Sequence, residues 1–183
     1  MLSAHRFSWD TMARQITRRA FGALATSVAA LPIAHAASPL PLPAAKPILS
    51  VSGRIAASNR DGVAVFDMAM LEALGTDGFE TRTPWHSGAV RFEGVRMQRL
   101  MQAIGASGES VTAVALNDYT TDLPMADFER YGVLLATKRD GAYMPVRDKG
   151  PLFIVYPYDS KPELGAQQFY SRSAWQVAKL VVK

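Results

Sequence analysis

The chain contains no cysteine. That absence excludes disulfides, thiolate nucleophiles, Cys-type zinc sites and iron–sulfur clusters. Histidine is nearly as scarce. Of three in 183 residues, His5 and His35 fall in the first 36, which leaves His86 as the sole imidazole of the remainder. It has no second histidine and no paired carboxylate at metal-ligand spacing, so no metal ligand is assigned. No P-loop, no GxGxxG and no Ser/His/Asp constellation is legible, so no catalytic residue is assigned either. Internal repeats and low-complexity tracts are also missing.

Basic charge is scarce where it would matter. The whole chain carries 20 basic and 16 acidic side chains. Removing Arg6, Arg14, Arg18, Arg19 and Asp10 with the first 36 residues leaves 16 and 15, a net of +1. A near-neutral remainder lacks the basic excess of a phosphate-backbone binder, so no nucleic-acid partner is expected.

What is present begins with a leader-like stretch. Residues 1–36 combine Arg14, Arg18 and Arg19, an apolar run from Ala20 to Ile33, and Ala34-His35-Ala36 as a small-x-small cleavage pattern. The run of about 14 residues is short of the roughly 20 that span a bilayer. The reading is an export signal. Thr17 to Leu24 also resembles a twin-arginine signal, and Met12 offers an alternative start. Residues 37–47 hold Pro39, Pro41, Pro43 and Pro47 and read as an extended Pro-rich tether. Residues 48–183 read as one globular domain, a size that buries roughly two-thirds of its surface without disulfides.

Within that domain, strands are expected at 48–55, 63–66, 79–83, 111–116, 133–137, 152–156 and 175–182. Helices are expected at 68–74, capped by Asp67 and ended by Gly75, at 95–104, and as a short turn at 127–131. The segment 120–125 leads away from a strand, and 157–173 reads as loop. Many short strands with a few short helices make a mixed, mainly-β α+β domain. The stretch Asp140 to Pro157 organises the reading: an Asp-Gly turn, a polar loop Arg147-Asp148-Lys149-Gly150, then a run from Leu152 to Tyr156 that is apolar on both faces.

The candidate binding residues fall into three groups. Trp85 and His86 share an irregular loop, where Trp85 either stacks on a flat ligand or plugs the edge of the core. Asn117, Asp118 and Tyr119 end a strand, where amide and carboxylate can pair with the edge of a heterocycle or simply make an Asx turn. Arg147, Asp148 and Lys149, with Tyr170, Arg172 and Trp175, add cations and two more rings.

Five segments in order resemble the molybdopterin-binding domain of the sulfite-oxidase type. They are Phe92-Glu93-Gly94-Val95 with Leu100-Met101, Asn117-Asp118-Tyr119 with Pro124-Met125, Gly141 with Met144-Pro145, Lys149-Gly150-Pro151-Leu152 with Val155-Tyr156-Pro157, and Trp175 with Lys179-Leu180. The family's enzymes hold molybdenum with a cysteine a few residues before the Trp85 position, where this chain has Thr81-Arg82-Thr83. The family's arginine after Gly-x-Pro is replaced as well, with Phe153 near that place. The chain is therefore more similar to small exported bacterial relatives that bind a pterin without molybdenum. That resemblance implies a periplasmic location, a pterin ligand, no enzymatic activity, and signalling to a membrane-bound cyclic-di-GMP cyclase or phosphodiesterase. Two other readings stay open: a periplasmic oxidoreductase that keeps molybdenum through the dithiolene of molybdopterin alone, and an adaptor whose pocket is vestigial.

Overall fold

The computed structural model describes residues 40–183. The leader read at 1–36 lies outside the described residues. The described residues form two five-stranded sheets and four short α-helices around one hydrophobic core. The first sheet has one parallel pair among antiparallel ones, the second is antiparallel throughout, and the α+β, mainly-β class holds.

The first sheet has the order β2-β1-β10-β5-β6. It comprises β1 (Leu49–Gly53), β2 (Ala64–Phe66), β5 (Ser110–Ala115), β6 (Thr120–Pro124) and β10 (Val177–Val182). β1 and β2 form the expected hairpin, and β1 runs parallel to β10. The second sheet joins β3 (Asp77–Arg82), β4 (Ala89–Arg96), β7 (Leu134–Arg139) and β8 (Ala142–Tyr143), with β9 (Phe153–Val155) also on β7. The run from Leu152 to Tyr156 is fully buried, as a strand apolar on both faces requires.

Helix α1 (Met68–Ala73) is capped by Asp67, whose Oδ1 accepts from the Met70 N–H at 2.9 Å. The other Asp67 oxygen accepts from the N–H groups of Ala44 and Ala45 at 2.8 and 2.9 Å, and Asn59 Nδ2 donates to the Pro41 carbonyl. From Leu40 onward, the stretch read as a tether is thus docked on the domain by hydrogen bonds and by packing of Leu40 against the core.

Four expectations for regular structure need correction. Residues 89–96 form the longest strand, β4, so Val95 and Arg96 belong to a strand and helix α2 begins only at Met97 (Met97–Ala103). Val90 and Phe92 turn inward while Ala89 and Arg91 turn outward, the period-2 signature of a half-buried strand. A bulge between Glu93 and Gly94 shifts that alternation, and a Cβ at Gly94 would lie 2.2 Å from the Leu135 carbonyl oxygen. The segment leading away after Tyr119 is strand β6, paired to β5 from Thr120 to Pro124, and α3 (Met125–Tyr131) follows. The loop expected after Pro157 holds two 3-10 turns, Tyr158–Ser160 and Pro162–Gly165, and helix α4 (Gln167–Arg172). The last strand starts at Val177, two residues later than its sequence reading, because Trp175 pairs with Phe153 in a single bridge and Gln176 takes a positive φ of 55°.

Candidate functional site

Three segments separated in sequence meet at an open cleft of about 510 Å³. The turn after β3 contributes Pro84 and Trp85, and the β5–β6 turn contributes Asn117 and Tyr119. Helix α4 and the residues after it contribute Gln167, Tyr170, Ser171, Ser173, Ala174 and Trp175. The volume falls in the range of roughly 300–1,000 Å³ typical of small-molecule sites.

The aromatic wall is held by edge-to-face packing. Trp85 meets Phe153, Tyr170 and Trp175 with ring centroids 5.6, 6.0 and 5.6 Å away and interplanar angles of 68°, 83° and 77°. This is the preferred quadrupole geometry. Trp85 therefore plugs the core edge on one side and faces the cleft on the other. Tyr158 lies against Tyr170 at 5.0 Å. Its hydroxyl bonds Ser173 Oγ, which donates to the Phe169 carbonyl at 2.9 Å, and burial raises its pKa well above that of an ordinary phenol. Tyr119 spans one side of the cleft, its hydroxyl donating to the Ser171 carbonyl at 2.8 Å. Asn117 Oδ1 accepts from the Tyr119 N–H at 3.2 Å, the Asx-turn geometry anticipated from sequence.

Backbone strain gathers beside the same wall. Asp118, Lys149 and Gln176 have φ values of 62°, 64° and 55°. Two of them are joined directly, the Gln176 N–H donating to the Lys149 carbonyl at 3.1 Å, and the Leu116 N–H donates to the Gln176 carbonyl at 2.9 Å. Non-glycine residues in this region cost on the order of 1 kcal/mol each and persist only when the surroundings over-determine them. The loop carrying Lys149 is pressed flat at Gly150, where a Cβ would sit 1.8 Å from the Met144 carbonyl oxygen.

The charged candidates sit elsewhere. His86 Nε2 lies 3.2 Å from Arg139 Nη1, and His86 Nδ1 lies 2.8 Å from Thr83 Oγ1. A guanidinium can only donate, so Nε2 accepts and the proton resides on Nδ1. His86 is thus neutral, and burial followed by the neighbouring Arg139 and Lys149 cations lowers its pKa. Arg139 in turn grips Asp148 through two hydrogen bonds of 3.0 and 2.7 Å, and holds its carboxyl below the usual carboxylate range. Arg172 donates to Asp127 at 2.9 Å, where the buried Tyr156 hydroxyl also donates at 2.8 Å. Lys149 Nζ stands 4.7 Å from the centroid of the Trp175 ring and does not line the cleft. Asp118 and Arg147 are exposed and outside the lining.

Of the candidates read from sequence, the structure thus brings together Trp85, Asn117, Tyr119, Tyr170 and Trp175. It places His86, Asp118, Arg147, Asp148, Lys149 and Arg172 outside the cleft, most of them engaged with protein partners. Gln167 was missed. Its signal was the i, i+3, i+4 spacing of Gln167, Tyr170 and Ser171, which share one face once the segment is helical.

The donor set can be tested against the group that the family resemblance implies. Rings and amides suit a flat heterocycle with a lactam edge. The metal end of molybdopterin finds no counterpart. At the family's cysteine position, Thr81 Oγ1 accepts from the Asp159 N–H at 3.1 Å, and Thr83 Oγ1 serves His86 and the Trp85 N–H. Among the described residues no cluster of three or more His, Asp or Glu side chains converges. The lining thus has the chemistry to hold a flat heterocycle, and the described residues present no side-chain ligand set for molybdenum.

No curated protein matches the chain. The family described as the oxidoreductase molybdopterin binding domain matches residues 67–159, from the Asp67 cap through the second sheet to Asp159. That span exceeds half of the chain and includes Trp85, Asn117 and Tyr119, while α4 and Trp175 lie beyond it. By this match and by the mixed-sheet fold, the chain belongs to the molybdopterin-binding-domain family of the sulfite-oxidase type.

Proposed function

We propose that the protein is an exported, periplasmic pterin-binding module that works without molybdenum. Its occupancy by a pterin is read out by a membrane-bound cyclic-di-GMP cyclase or phosphodiesterase. The observation that carries the ligand assignment is the cleft itself: four aromatic rings and two amides around about 510 Å³, in a family built to hold a pterin, in a chain with no thiolate. A pterin is a flat bicyclic ring with an amide-and-amine edge. Trp85, Tyr119, Tyr170 and Trp175 offer it apolar walls, and Asn117 and Gln167 offer donors and acceptors for its edge. Export is supported by the leader-like residues 1–36, and the partner by the resemblance to small exported relatives.

Isothermal titration of the purified protein with tetrahydropterins tests the ligand. Saturable one-site binding is the expected outcome, and no heat at high micromolar ligand removes the reading. The twin-arginine-like Thr17 to Leu24 favours a second reading, an oxidoreductase that holds molybdenum through the dithiolene alone. Metal analysis of protein isolated from its own host decides between them, since a molybdenum-free, pterin-bearing preparation fits only the first.

A further inference from the structure

We infer that the cleft selects an uncharged, unphosphorylated pterin and rejects phosphate-bearing ones, the complete molybdopterin cofactor among them. This rests on the pterin reading above and sharpens it to a ligand class.

The lining is electrically neutral. It contains no Lys, Arg, His, Asp or Glu side chain. A phosphate carried into a partly desolvated cleft needs a guanidinium, an ammonium or a helix N-terminus to replace its water. The two nearest arginines are paired, Arg172 with Asp127 and Arg139 with Asp148, and Lys149, 4.7 Å from the Trp175 ring centroid, stands outside the lining. Releasing Arg172 would strand the Asp127 carboxylate, which is 8% exposed. Helix α4, at six residues, is too short to supply a useful macrodipole.

What the lining does offer is neutral and two-sided. Asn117 Oδ1 is taken by the Tyr119 N–H, so its Nδ2 remains to donate. The Gln167 amide can both donate and accept. Such a pair matches a lactam edge, whose carbonyl accepts while its ring N–H donates. The lining therefore offers neither a thiolate for a metal nor a cation for a phosphate.

The test is titration of the full-length chain with 7,8-dihydroneopterin and, separately, with 7,8-dihydroneopterin triphosphate. The unphosphorylated pterin is expected to bind about tenfold or more tightly than the triphosphate, with an affinity that salt leaves unchanged. Equal or tighter binding of the triphosphate overturns the inference and leaves the pterin reading standing. Failure of both ligands while a tetrahydropterin binds overturns this inference alone, and failure of all three overturns the pterin reading with it. A gain-of-charge variant adds a converse test: Ser171→Lys places an ammonium at the exposed rim of the lining. It is expected to shift the ratio of the two affinities about tenfold toward the triphosphate. A ratio that does not move in a folded Ser171→Lys protein overturns the claim that missing charge sets the selectivity.

Discussion

Two neighbouring clusters divide the chemistry of this domain. One is the cleft, where rings and amides face open space. The other is the charged web beside it, His86–Arg139–Asp148 and Arg172–Asp127, where polar groups face each other. By residue type alone the web would be the stronger candidate for function, since it holds the histidine, the arginines and the carboxylates. In the folded chain those groups are already satisfied. Recognition capacity resides where hydrogen-bonding groups lack internal partners, and here those groups carry no charge. The web instead fixes the walls: Arg139 ties the loop of Trp85, through His86, to the loop of Lys149, through Asp148.

The sharpest way to break this division is to remove Asp127. Asp127→Ala leaves the Arg172 cation and the Tyr156 hydroxyl without their acceptor, so urea unfolding should show a loss of about 3–5 kcal/mol. A loss below about 1 kcal/mol would mean that the pair is solvated rather than structural. The cleft should respond in the opposite sense. Trp175→Ala should weaken tetrahydropterin binding by about 1–3 kcal/mol, the scale of one stacked ring, read as a shift in Kd by titration. Unchanged affinity in a folded variant would remove Trp175 from the site.

The pH dependence separates the clusters more finely. His86 has its pKa lowered in the fold from the usual value of 6.5. The unfolded chain therefore takes up the proton first, so this group's contribution is intact above about 6.5 and is lost as pH falls below that value. Urea midpoints should drop between pH 7.5 and 5.5 in the native chain and drop less in His86→Gln. The lowered carboxylates, Asp148 among them, act only below the ordinary carboxylate range and leave this window clear. The smallest effect belongs to Arg147→Ala. With an exposed side chain outside the lining, it should change both stability and pterin affinity by less than about 0.5 kcal/mol.

The same contrast explains which parts of the molecule were legible in the sequence. Aromatic residues on loops reported their place well, because a large ring has few places to go except core or pocket, and Trp85 serves both. The charged residues misled, because their partners are distant along the chain. Asp127 stands 45 positions before Arg172, and nothing local links them. Strand β9 was legible because an unbroken apolar run signals burial on both faces. β4 was missed because Gly94 and its bulge break the alternation that Val90 and Phe92 begin. Helix α4 was missed because a segment of six residues, its cap lacking a side-chain bond, carries little local signal.

The position of β10 has a consequence for synthesis. It lies between β1 and β5, so the last strand of the domain to leave the ribosome is the middle plank of its sheet. A nascent chain still lacking residues 177–182 holds two separate ribbons, β2-β1 and β5-β6, with nothing to bridge them. Assembly of this layer must wait for translation of residues 177–182, and until then the β2-β1 and β5-β6 edges that β10 covers stay open to other chains.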